Sequence, residues 1–170
     1  MTIRRIDGDY VKSPCGSSSA TITRPDNTTA YTAGDVFGES PATNIEFANI
    51  LPTEAGHFYI TDAKIEVVLS AVPANMSTFT LHLYSSAPTA IADNSAWTLL
   101  AADGAKYLGS IEFDTPTDLG TTLIDWQGSV NIKRKLASSS TSIYGQLVTA
   151  GNYTPTSGEV IKITLETIAA

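Results

Sequence analysis

A chain of 170 residues, 42% of them hydrophobic, is long enough to bury one core and short for two. Seventeen acidic against ten basic residues leave a formal net charge of −7, the wrong sign for wrapping nucleic acid, where affinity comes largely from neutralised phosphates. The single cysteine, Cys15, excludes an internal disulfide and a four-cysteine metal site, and no apolar run is long enough to cross a bilayer as a helix.

Residues 1–16 read as an arm, in which Arg4, Arg5 and Lys12 mix with Asp7 and Asp9 before Pro14 and Gly16 close the segment. Residues 17–170 read as one domain. The N-terminus lacks the apolar stretch of a signal peptide, so the chain is expected to be made in a cytosol and to stay soluble. Cys15 and the glycine–serine run behind it read as a solvated hinge. A nucleophilic cysteine needs a partner that lowers its pKa, and none can be located.

A first strand is expected over 17–24, ending at the turn signal Pro25-Asp26-Asn27. After an irregular stretch with a short segment at 36–37, a strand over 43–48 puts Ile45 and Phe47 on one face and Asn44, Glu46 and Ala48 on the other. The next strand spans 57–72, interrupted near 61–63, with an apolar second half suited to the middle of a sheet. Pro73-Ala74-Asn75 turns the chain into 78–84, where Phe79, Leu81 and Leu83 alternate with Thr80, His82 and Tyr84.

Residues 87–104 break the alternation. Asp93 is placed to cap a turn of helix over 96–102, ended by Asp103-Gly104, with Trp97, Leu99 and Leu100 on its buried side. Strands resume at 106–114, 123–136, 142–149 and 159–167. Eight strands with no helix long enough for a parallel crossover predict an all-β, antiparallel, jelly-roll-like β-sandwich. Forty Ser and Thr residues fill the polar positions, while charged residues are only 16%.

Candidate chemistry is sparse. His57 and His82 stand 25 residues apart on different strands, without the ligand spacing of a zinc site. Asp7, Asp9, Glu112, Asp114 and Asp118 lack the register of a calcium loop and read as turn-capping or solvent-facing groups. Three N-x-S/T triplets, at Asn27, Asn75 and Asn152, arise by chance in a chain so rich in Ser and Thr. No catalytic, cofactor-binding or metal-binding residue is assigned, and an enzyme is not expected. Lys133-Arg134-Lys135 is the one local charge anomaly. It reads either as an edge strand guarded by charge or as a basic contact for an acidic protein partner, with the two lysines together and Arg134 opposed.

The stretch Ser19-Ala20-Thr21-Ile22-Thr23-Arg24-Pro25-Asp26-Asn27-Thr28-Thr29-Ala30-Tyr31-Thr32-Ala33-Gly34-Asp35-Val36 resembles the opening of small structural proteins encoded beside tailed-bacteriophage head genes. Residues 81–94 and Lys106-Tyr107-Leu108-Gly109-Ser110 are similar to later segments of the same group, in order over roughly 20–165. The resemblance implies a capsid decoration or cement protein of sandwich fold. Such a protein binds the major capsid protein on the outer surface of the virion as a dimer or trimer, without nucleic acid or membrane. On that reading Ile3, Arg4, Arg5 and Ile6 form an arm that orders on a neighbour, and Lys133, Arg134 and Lys135 form a second contact. The alternatives are a tail, baseplate or fibre-adaptor module, or a carbohydrate-binding sandwich stacking sugars on Trp97, Tyr107 and Trp126.

Overall fold

The computed structural model describes residues 15–51, 54–120 and 124–170, and at 124–129 and 131 the backbone alone. Its strands are β1 (Cys15–Thr23), β2 (Val36–Phe37), β3 (Ile45–Phe47), β4 (His57–Val67), β5 (Phe79–Tyr84), β6 (Tyr107–Phe113), β7 (Thr117–Asp118), β8 (Ile124–Lys135), β9 (Ile143–Thr149) and β10 (Val160–Ala169). One sheet runs β1-β10-β4-β8-β7. The other runs β2-β9-β5-β6, with β3 also on β9. Every pairing is antiparallel.

The wiring follows one rule. β1 pairs with β10, β2 and β3 with β9, β4 with β8, and β5 with β6. The first half of the chain thus runs back along the second as a long hairpin rolled into two sheets, which is jelly-roll connectivity. The all-β sandwich expected from the period of two is the fold that forms. Phe58, Ile60 and Ile65 of β4, Leu81 of β5, Leu147 of β9 and Ile161, Ile163 and Leu165 of β10 are fully buried between the sheets. Each such side chain contributes about 1.5–3 kcal/mol.

Three local expectations need correction. Cys15 to Ser19 is not a hinge: these residues pair with Thr164 to Ile168 of β10. Gly16 is needed there because a Cβ would stand 2.0 Å from the Ile50 carbonyl oxygen. The strand expected over 57–72 stops at Val67, opposite Ile161 near the start of β10. Val68, the next residue, is 74% exposed. The expected interruption of this strand is a bulge, where the register with β8 shifts between Ile60 and Asp62.

The helix also differs. It is a 3-10 segment over Ala101–Lys106, and Leu99 and Leu100 before it are exposed. Trp97 is held extended instead: its amide donates to the Gly34 carbonyl, and Ala96 bridges Asp35. Tertiary contacts override the helix propensity of 96–102.

Candidate contact surface

The outer face of the first sheet brings the basic triplet into a specific setting. In β8, Lys133 lies opposite Tyr59 and Lys135 opposite His57. Both lysines are exposed, and the Lys133 ammonium sits 5.5 Å from the centre of the Tyr59 ring. Among the described residues neither lysine forms an ion pair. Lys64 and Lys162, further along the same face, are engaged by Glu66. Arg134 points the other way, beside the buried Phe58. Its guanidinium lies over Gly109 of β6, where a Cβ would stand 2.6 Å from Nη2. Its Nη1 donates to the Lys133 carbonyl, and its Nε has no hydrogen-bond partner among the described residues. The triplet is therefore two lysines on the surface and one arginine folded inward, as strand alternation dictates.

The side chains that fix the long loop over β5 and β9 were not legible as a group. Arg24, at the end of β1, is 1% exposed. Its Nη2 donates to Asp93 at 3.0 Å and its Nε to the Tyr31 hydroxyl at 3.1 Å, while Nη1 donates to the Asn27 carbonyl. The Tyr31 hydroxyl donates to Asp93 as well, and the Gly38 amide reaches the same carboxylate. Asp93 thus caps no helix. It ties the loop to the first strand across 69 residues of sequence. Burial together with the Asp93 bond pushes the Tyr31 hydroxyl well above its ordinary value. Next to this cluster, Glu159 is buried and accepts from the Tyr153 hydroxyl and the Thr156 amide, and desolvation raises its pKa.

A second cluster lies under the same loop. The rings of His82 and Trp97 stack at 3.7 Å with an interplanar angle of 8°. His82 Nδ1 shares a hydrogen bond with the Tyr107 hydroxyl, and Trp97 Nε1 donates to Gln146, which also accepts from Tyr84. Burial lowers the His82 pKa to about 4. Trp97 and Tyr107, offered above as sugar platforms, are thus engaged internally. Trp126 lies in β8, and its side chain falls outside the described ones.

Asp103 anchors the far end of the loop, accepting from the Thr89 amide at 2.9 Å and from Lys106 Nζ at 2.8 Å. The Lys106 bond, then the Thr89 amide, lowers its pKa from 3.8 to about 2. A carboxylate whose pKa falls on folding stabilises the fold above its unfolded value, and that contribution disappears as the pH drops through the folded one. Asp103→Asn should therefore flatten the stability curve between about pH 4 and pH 2. Melting temperatures measured across that window check it, and an unchanged acid slope contradicts it.

The remaining sequence candidates are dispersed. His57 is exposed at the start of β4, Cys15 is free and exposed at the start of β1, and Glu112, Asp114 and Asp118 are exposed around β6 and β7. Among the described residues, no three His, Cys, Asp or Glu side chains come together as a metal site. Ile3, Arg4, Arg5 and Ile6, like Asp7 and Asp9, lie outside the described residues. A groove of about 290 Å³ opens where the free edge of β1 faces β2 and β3, lined by Ala20, Ile22, Phe37, Ile45 and Glu39 among others. No helix among the described residues is long and apolar enough to cross a membrane.

No family model matches the chain, and no curated protein matches it. Among solved structures, it is similar to a chain of Desmodium yellow mottle tymovirus at 10% identity, covering 100% of this chain and 94% of that one, with a TM-score of 0.26. A chain from the native virion of Kashmir bee virus is 14% identical, with 99% and 82% covered and a TM-score of 0.26. A chain of Triatoma virus is 13% identical, with 97% and 68% covered and a TM-score of 0.25. These superpositions are weak, and it is the strand wiring that defines the fold class.

Proposed function

We propose that this chain is a virion structural protein, a capsid decoration or cement protein that binds the assembled head of a tailed phage in many copies and bridges its major capsid subunits. The observation that carries the reading is the outer face of the first sheet. In a chain of net charge −7 it presents Lys133 and Lys135 beside Tyr59 and His57, without acidic partners among the described residues. Such a face fits an acidic protein surface. A jelly roll serves both shell proteins and lectins, so the fold by itself does not choose between them. The stacking of Trp97 on His82 and the hydrogen bond of Tyr107 to the same ring weigh against sugar stacking. A tail, baseplate or fibre-adaptor module presents the same face to a different acidic partner.

The mechanism is mass action. A protein bound only to the assembled shell stabilises it by RT ln(1 + [L]/Kd), about 2.7 kcal/mol per site at a hundredfold excess over Kd. Many copies multiply the effect. Residues 1–12 serve as an arm that orders on the neighbouring subunit, through Ile3, Arg4, Arg5 and Ile6.

Lys133→Glu with Lys135→Glu should weaken binding to purified heads about tenfold at low salt, with the difference shrinking as salt rises. The melting temperature should stay within a degree or two of wild type, because both side chains are exposed. Removal of residues 1–12 should weaken binding without unfolding the sandwich. Full occupancy by both variants contradicts the assignment of these contacts.

A further inference from the structure

The edges of the two sheets are not alike. The edge of the first sheet at β8 is part-covered by β7 and carries Lys133 and Lys135. The edge at β6 carries Gly109 at φ +110, with Arg134 lying across it. The edge at β2 and β3 is split into pieces of two and three residues. β1 alone, among the described strands, is a long open edge: nine residues, without a charge, a proline or a register shift.

The direction of its free groups follows from two hydrogen bonds. The Arg24 amide donates to the Glu159 carbonyl, just before β10, whereas the Thr23 amide donates outward, to Glu39. Backbone amides alternate along a strand, so those of Thr21, Ser19 and Ser17 point outward like that of Thr23. Glu39 closes the ladder at its C-terminal end. Between that stop and Cys15, a row of donors and acceptors faces away from the sheet. Proteins that remain monomeric blunt such a row with Lys, Pro or a bulge. β1 has none of these.

We propose that β1 is a dimerisation strand, pairing antiparallel with β1 of a second copy across a two-fold axis at Ser19. The register is self-complementary. Ser19 faces Ser19 and Ser17 faces Thr21, which brings the outward-pointing backbone groups of both copies opposite one another, while the Ser17 and Ser19 hydroxyls stay bonded to Glu166 and Thr164 of β10. The occupant is a second copy because an uncharged strand meets its own image without like-charge repulsion, although each copy carries −7. The first sheets of the two copies then join into one continuous sheet. This inference stands apart from the virion reading, since a dimer could form in a protein of any function.

Disulfide trapping on the full chain tests it. With Cys15→Ser as background, Ser19→Cys should oxidise to a covalent dimer nearly completely, because directly opposed residues of an antiparallel pair fall within disulfide reach. Thr61→Cys, on the exposed outer face of the first sheet, serves as the collisional control and should yield little dimer. Thr21→Pro removes one outward donor. An edge strand tolerates this on its solvent side, so the melting temperature should hold while dimer disappears from both trapping and sedimentation. Trapping of Ser19→Cys no faster than of Thr61→Cys overturns the proposal, as does a monomer by sedimentation at every concentration. Protection of the Ser17 and Ser19 amides in a monomer overturns it too, since the edge is then covered from within the same chain. Failure here leaves head binding to be judged on its own measurement.

Discussion

Asp93→Ala should destabilise the protein by about 3–5 kcal/mol, the range for removing one partner of a buried ion pair. Arg24 is left 1% exposed with its positive charge uncompensated, and the Tyr31 hydroxyl and the Gly38 amide lose their acceptor. Arg24→Met in the same background should recover part of the loss, because it removes the stranded charge and fills similar volume. Urea unfolding of the wild type, the single variants and the double variant measures this directly. A loss below about 1 kcal/mol for Asp93→Ala means the pair is solvated in solution and does not clamp the loop.

The second large effect is a pH dependence. Burial holds the folded His82 pKa near 4, against an ordinary value of 6.5. Between those values the unfolded imidazole binds a proton that the folded one refuses. The unfolded state therefore gains protons, and stability falls as the pH drops across the window. Each pH step of one across that window is worth about 1.36 kcal/mol at most, so the full excursion is about 2–3 kcal/mol. The groups facing the ring are Trp97, Tyr107 and, across the strand pair, Gln146 and Ser110, none of them a carboxylate that could stabilise the cation. His82→Phe keeps an aromatic ring against Trp97 and should remove this slope. An equal slope in wild type and variant contradicts the buried, neutral histidine.

The fold was legible because the period of two is a local property. Phe79, Leu81 and Leu83 announce their face within five residues, and so do Ile161, Ile163 and Leu165. What escaped were features set by distant partners. Nothing near Asp93 reveals that its partner is Arg24, and good helix formers around Trp97 conceal that its ring is claimed by His82 and Gln146. The serine run after Cys15 has the composition of a linker, yet β10 recruits it as a strand. Val68 and Leu69 look like the middle of a sheet, but β10 pairs no further along β4 than Val67. For the contact surface, alternation separated Lys133 and Lys135 from Arg134. The company of Tyr59 and His57 depended on the register between β4 and β8, which composition does not encode.

The most direct test of a role by adhesion is a cryo-EM map of the parent phage head. Jelly-roll density is expected at repeated positions outside the major capsid shell, with the β4–β8 end of the first sheet turned toward it and Lys133 and Lys135 against acidic residues. Heads on which no such density appears, and from which the purified protein stays in the supernatant when added back, would contradict adhesion as this chain's role.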